Sequence, residues 1–382
     1  MKKIVVLFLI SLLTFNVAFA APNVRVGFIF VGDENEGYTA AHYNGALEMQ
    51  EALGLTDDQL VTKWLVPETE ACYDAAIDLV DGGCDIVFAN SFGHESYLLN
   101  AAYEYPDVEF CHATGFNAAL ANIPNFHNYF TSVHESRYVS GVVAGMKLAE
   151  MIADGKVTED NCLIGYVGAH PYAEVISGFT AFFLGVRSQC PCATMIVKYT
   201  GSWASFDLEK EAAEALIAQG CVLISQHADT TGAPTACEAA GVPCVGYNVS
   251  MNSVAPTTSL TSAAIDWAPY YTYAVQCVIE GEPIATDWCQ GYIDGAVHIT
   301  ELNENVIAEG TAEKVAEVEG AIMDGSLHVF DTSTFTVGGK TMEEIIAEDE
   351  EYAPYVYDGY FHESELQSAP SFALIIDGIT EI

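Results

Sequence analysis

Val24-Arg25-Val26-Gly27-Phe28-Ile29-Phe30-Val31 is mostly apolar and rich in β-branched and aromatic residues, and it runs straight into Gly32-Asp33-Glu34-Asn35-Glu36-Gly37-Tyr38. A short apolar run of this kind reads as a parallel strand buried on both faces. A helical pattern over 39–53 follows it. The same alternation continues outward from this unit. Strands are expected at 85–89 and 109–114, with a helix over 95–104 that stops before Pro106. A long helix over 135–153 carries Ser140, Gly141, Ala144 and Gly145, small residues that allow close packing. The pattern then restarts, with strands at 163–168, 194–199, 222–226 and 243–247 and helices over 173–187, 207–218 and 233–240. Alternating strands and helices of these lengths mean βαβ units and parallel sheets, and two series mean two doubly wound α/β lobes. A less regular third segment reads as strand 259–262, helix 267–280, strand 292–300 and helix 311–323. After Phe330 the pattern weakens to a candidate strand at 333–337 and an exposed acidic run at 348–351.

Open α/β sheets bind ligands beyond the carboxyl ends of their strands. Five strands here run into loops bearing aromatic or polar groups: 32–38, Ser91-Phe92-Gly93-His94, Gly201-Ser202-Trp203, His227-Ala228-Asp229-Thr230 and Tyr247-Asn248. Aromatics in such places also cap cores, so each loop alone is open to either reading.

Residues 1–20 read as an export leader. Lys2 and Lys3 precede the apolar run 4–13, and Ala18-Phe19-Ala20 offers a small-x-small cleavage site. No cysteine follows at once, so a lipid anchor is not expected, and no later stretch is long and apolar enough for a membrane span. The expectation is an exported, periplasmic, monomeric protein without membrane insertion. The chain carries 53 Asp and Glu against 12 Lys and Arg, a net charge of −41. Such a surface repels nucleic acid, anionic lipid and phosphorylated ligands, and tolerates neutral ligands and cations. Eleven cysteines in an oxidising compartment predict two to four disulfides and a free thiol. Cys190-Pro191-Cys192 is too tightly spaced for a zinc pair, and no metal or redox role is expected.

Several stretches together resemble one family. They are Gly37-Tyr38-Thr39-Ala40-Ala41-His42, Ser91-Phe92-Gly93-His94, Glu135-Ser136-Arg137-Tyr138-Val139-Ser140-Gly141 and Glu174-Val175-Ile176. Others are the run from Ala181 to Ser188, Ser202-Trp203, Gln226-His227-Ala228-Asp229, Gly246-Tyr247-Asn248 and Trp267-Ala268-Pro269-Tyr270-Tyr271. The chain resembles the basic membrane protein family of ABC-transporter substrate-binding proteins, which includes purine nucleoside receptors. The resemblance implies a type I periplasmic-binding-protein fold with three crossings between lobes. The first lobe would take 21–131 plus 250–290, and the second 132–249 plus 291–330. An extension over 331–382 would lie on the second lobe or the hinge. It also implies that a purine base or nucleoside is captured and handed to an ABC transporter permease, with no cofactor and no catalysis. Departures from the family pattern lie near the cleft: Tyr38 for a tryptophan, Ala173 for a proline, Ser205-Phe206-Asp207 for an aspartate-proline, and Ser250 for an aspartate.

A purine needs π-faces and in-plane hydrogen bonds. By resemblance, Tyr38 and Trp203 stack on it from opposite lobes, and Asn248 occupies a position that holds an acid for polar contact. Asp229 and His227 either bond to the ligand edge or brace the hinge. His42 is open to both roles, and Phe92 and Tyr247 either touch ligand or cap the core. Trp267 is a ligand candidate that otherwise packs the hinge with Tyr271. Glu174 either accepts from an exocyclic amine or favours its helix. Two other readings stand beside this one: a cationic amine held by aromatic walls, and a secreted nucleoside hydrolase, which would need a calcium-binding aspartate cluster near the first strand. Nucleophile-elbow, zincin and phosphate-cradling glycine motifs are absent from the sequence.

Overall fold

The computed structural model describes residues 22–382, so the leader expected over 1–20 lies outside the described residues. Its first sheet grows from the opening strand. β1 (Val26–Ile29) is wholly buried and pairs in parallel with β2 (Leu60–Lys63) on one side and β3 (Ile86–Ala89) on the other; β4 (Glu109–Ala113) and β5 (Phe126–Thr131) follow. The connecting helices are α1 (Gly37–Leu53), α2 (Ala71–Asp81), α3 (Glu95–Glu104) and α4 (Asn117–Ala121). Phe28, Phe88 and Tyr129 pack on one face of the sheet and Leu79, Val87 and Phe110 on the other, as a doubly covered parallel sheet requires.

After β5 the chain crosses into α5 (Val133–Ala153) and builds a second parallel sheet from β6 (Leu163–Gly168), β7 (Thr194–Tyr199), β8 (Leu223–His227), β9 (Cys244–Tyr247) and β10 (Ser259–Ile265), with α6 (Ala173–Gln189), α7 (Phe206–Ala218) and α8 (Gly232–Ala240) between them. It crosses back into α9 (Ala268–Glu280) and β11 (Asp287–Gln290), which extends the first sheet beside β5. It then crosses a third time to β12 (Val297–Ile299), antiparallel to β10. The boundary expected at 249/250 is therefore displaced. Residues 259–265 are buried throughout and hydrogen-bond to β9, so they belong to the second sheet, and the chain returns to the first lobe only near Asp266.

The strand expected at 292–300 is a short helical turn, Tyr292–Asp294, followed by the shorter β12. The one expected at 333–337 is only an isolated Val337–Lys340 bridge. Beyond α10 (Thr311–Met323) the chain forms α11 (Met342–Glu348), the small hairpin β13 (Val356–Tyr357) and β14 (Tyr360–Phe361), and β15 (Ile379–Glu381), which adds in parallel to β7. Phe330, Phe361, Phe372 and Ile376 from this extension complete the second lobe's core.

None of the eleven cysteines is bonded to another, so the expected bridges are not formed. Cys162 joins Cys190 and Cys192, three sulfurs within 4.8 Å of one another, a grouping that linear spacing does not reveal. Among the described residues no helix is long and apolar enough to cross a membrane.

Candidate functional site

Glu36 ends the loop after β1 and caps α1, its carboxylate accepting from the backbone N–H groups of Tyr38 (2.7 Å) and Thr39 (2.9 Å). That fixes Tyr38 in the first turn, where its hydroxyl donates to the Asn90 carbonyl at 2.7 Å. Asn90 follows β3 directly, and its side-chain oxygen accepts from Val31 N–H at 3.0 Å. Thr114, just past β4, has φ of +68°, strained for a β-branched residue. These loops form the first-lobe wall.

The second-lobe wall is knitted by hydrogen bonds between its loops. Asp229 N–H donates to the Trp203 carbonyl (2.9 Å), and the Glu209 carboxylate accepts from Ser205 and Thr230 N–H at 3.1 Å each. Asn248 adopts φ of +62° and donates its amide to Asp229 at 3.0 Å. His227 lies 3.3 Å from Glu174, and its ring is tilted against Tyr247. Beneath them Arg137 is buried, 3.6 Å above the Tyr247 ring, and donates to the Gln226 carbonyl at 2.7 Å.

The two walls enclose a cavity of about 290 Å³ between the lobes. Tyr38, Phe92, Glu174, Trp203, His227, Asp229 and Tyr247 line it. The remaining three candidates do not. His42 and Trp267 stack on each other at 3.9 Å in the first-lobe core behind Tyr38, because His42 lies one turn further along α1 and bonds to the Tyr271 hydroxyl. Asn248 sits behind Asp229 and orients it. Glu36, Ser91 and Ser202, from loops singled out in the sequence, also line the cavity, as do Asn90 and Thr114, which were not among the candidates; the signal for those two was position, each directly following a strand's carboxyl end.

The lobes touch across this space. Gly37 N–H donates to the Asp229 carbonyl at 3.0 Å, and Phe92 stacks on Tyr172 with ring centres 5.6 Å apart. A Cβ on Gly37 would lie 3.1 Å from that carbonyl, so glycine permits the approach. Burial raises the Glu174 pKa to about 7 against the pull of Arg137. Burial also lifts Asp229 well above the usual carboxylate range, helped by neighbouring Glu36, Glu209 and Glu174. Glu36 is raised in the same way. The cavity thus offers ring faces together with carboxyl groups able to carry a proton, and it suits an uncharged or donor-rich ligand.

Residues 23–329 match the family described as ABC transporter substrate-binding protein PnrA-like. The chain belongs to this family. Like other Bmp proteins it is a solute-binding component of an ABC transporter, not an enzyme, and such components typically work outside the cytoplasm. A purine-binding protein of Brucella abortus is 31% identical over 82% of the chain and 85% of its own length. A putative ABC transporter glucose-binding protein of Haloferax volcanii is 29% identical over 82% of the chain and 75% of its own length. Among solved structures, the solute-binding protein of Conexibacter woesei superimposes with a TM-score of 0.65 at 21% identity, covering 80% of this chain and 98% of that one, which establishes the fold alone.

Proposed function

We propose that this Bmp protein is exported and captures a purine base or nucleoside between its closing lobes for delivery to a permease. The observation that carries the reading is that Tyr38 from one lobe and Trp203 from the other line a single cavity whose remaining wall supplies edge-bonding groups: Glu174, Asp229 and Asn90. Two rings and a few fixed polar groups are what a flat heterocycle requires. The purine-binding relative supports the same ligand class. Closure then coincides with binding, because ligand contacts are shared between lobes.

A second reading has its own observation. Three carboxyls line the cavity and no lysine or arginine does, which favours a cationic amine. A thermal-shift screen of bases, nucleosides and amines, followed by titration at low and high salt, separates the two. A purine should raise the melting temperature by mass action and bind almost equally at both ionic strengths. A hit confined to amines and weakened by salt defeats the purine reading.

A further inference from the structure

Three cysteines meet at the end of the second sheet that lies away from the cleft. Cys162 directly precedes β6, Cys190 caps the carboxyl end of α6, and Cys192 lies two residues before β7. Backbone bonds fix all three segments. Thr194 N–H donates to the Cys162 carbonyl at 3.0 Å, Cys190 N–H to that of Val186 at 2.8 Å, and Ala193 N–H to that of Cys190 at 3.1 Å. The Cys190 sulfur lies 3.4 Å from that of Cys162 and 3.5 Å from that of Cys192, and all three fall within 4.8 Å of one another. Among the described residues no other three His, Cys, Asp or Glu side chains bring their ligand atoms this close. The pair Cys190 and Cys192, too tightly spaced for zinc in the linear sequence, is completed by a third sulfur from another element.

A triangle with these sides has its centre no more than about 2.4 Å from each sulfur, and a zinc–thiolate bond is about 2.3 Å. The side chains already surround the point that a metal takes. Redox chemistry suits the arrangement less well. Thiol–disulfide exchange needs the attacking sulfur in line with the bond it breaks, whereas the three sulfurs turn through at most about a right angle at Cys190. Reactive cysteines also gather at helix amino termini, where the dipole favours a thiolate. Cys190 sits at the opposite end of a 17-residue helix, whose partial negative charge favours a cation. The neighbouring Cys162 sulfur, followed by burial, pushes the Cys190 thiol up, and burial raises Cys192. Without a metal these thiols are poor nucleophiles. Cys162 and Cys190 are buried and Cys192 is half-buried, so one side of the triangle opens to solvent. Exposed Glu159 and Asp160 lie just before Cys162, and the net charge of −41 draws cations to the surface.

We propose that Cys162, Cys190 and Cys192 form a three-thiolate site for one thiophilic divalent cation of the zinc group, separate from the ligand cleft. Water takes the fourth position on the open side. Thiolates select such soft ions over magnesium and calcium. Binding releases the thiol protons to solvent, so affinity rises with pH. The ion ties α6 to the starts of β6 and β7 and stabilises the second lobe by mass action.

The test uses the full-length exported chain isolated without reductant. It is titrated with zinc chloride against a chromophoric chelator, and with cadmium chloride by thiolate-to-metal charge-transfer absorption. One equivalent of either ion should bind, raise the melting temperature and shield Cys162, Cys190 and Cys192 from alkylation in peptide mass spectra. Losing a group that merely supports a metal ligand costs roughly 10–100-fold in affinity, so Cys192→Ser, which removes a ligand, should cost about hundredfold or more. Cys289→Ser removes a half-buried thiol elsewhere and should leave affinity unchanged. Shielding is read on the unaltered chain, so it decides the matter even where Cys192→Ser fails to fold. No uptake, uptake that Cys192→Ser leaves intact, shielding confined to other cysteines, or a disulfide joining any two of the three overturns the proposal.

Discussion

Trp203 is the second-lobe ring on the cleft cavity, and its loop is pinned by the Asp229 N–H bond to its own carbonyl. Replacing it by alanine leaves that backbone bond and removes only the face. A stacking contact is worth roughly 0.5–1.5 kcal/mol beyond the area it buries, so Trp203→Ala should weaken the best purine by at least about tenfold in a calorimetric titration. Unchanged affinity takes Trp203 out of the site. Glu174 supplies a separate test. With its pKa raised to about 7, it is mostly protonated at pH 6 and mostly ionised at pH 8. A cationic ligand should therefore bind more tightly as pH rises across that window, and a neutral purine should gain nothing. Glu174→Gln should flatten any such rise.

At the scale of elements, α5 and α6 pack backbone against backbone. A Cβ on Gly141 would lie 2.1 Å from the Phe182 carbonyl, and one on Gly185 would lie 2.1 Å from that of Tyr138. Both neighbours are helix backbone and cannot step aside, so Gly141→Val should destabilise by about 1–3 kcal/mol or more in urea unfolding. The small residues of this seam are plain in the sequence, as is β1, whose apolar run has no competing interpretation. β2 and β5 escaped for a physical reason. Leu60-Val61-Thr62-Lys63 is a half-buried edge strand with no apolar period. Phe126–Thr131 is wholly buried, yet it carries His127 and Asn128. Those polar side chains are tolerated because Glu109 bonds to His127 at 2.9 Å and Glu95 to the Asn128 amide at 2.9 Å, partners that only tertiary structure brings. The same limit applies within the site. Tyr38, His42 and Trp267 all stand in stretches that match the same family, but Tyr38 sits in the first turn of α1 at the cleft, while His42, on the same helix face one turn further along, stacks on Trp267 in the core.

Across the whole molecule, burial sets how stability responds to pH. Glu135 at the hinge, Glu174 and Glu209 at the cleft and Glu363 in the extension each have a pKa raised to about 7, with desolvation the leading cause in every case. An unfolded glutamate titrates near 4.3. Below that value these groups are protonated in both states and carry no penalty. Between about pH 4 and 7 the unfolded chain releases protons that the folded chain keeps, so folding weakens steadily as pH rises, and above about 7 the full cost is present. The many surface carboxylates act in the same direction, because ionising them adds self-repulsion to a chain of net charge −41. The melting temperature should therefore be higher at pH 5 than at pH 8, opposite to a protein held by carboxylate salt bridges. The two contributions separate by substitution and salt. Glu363→Gln still accepts the Ser371 (3.0 Å) and Phe372 (2.9 Å) N–H bonds but cannot ionise, so it should raise the pH 8 melting temperature and reduce the slope. Added salt should relieve only the surface share. A melting temperature that climbs from pH 5 to pH 8 would show that the buried carboxyls are ionised and paired in solution.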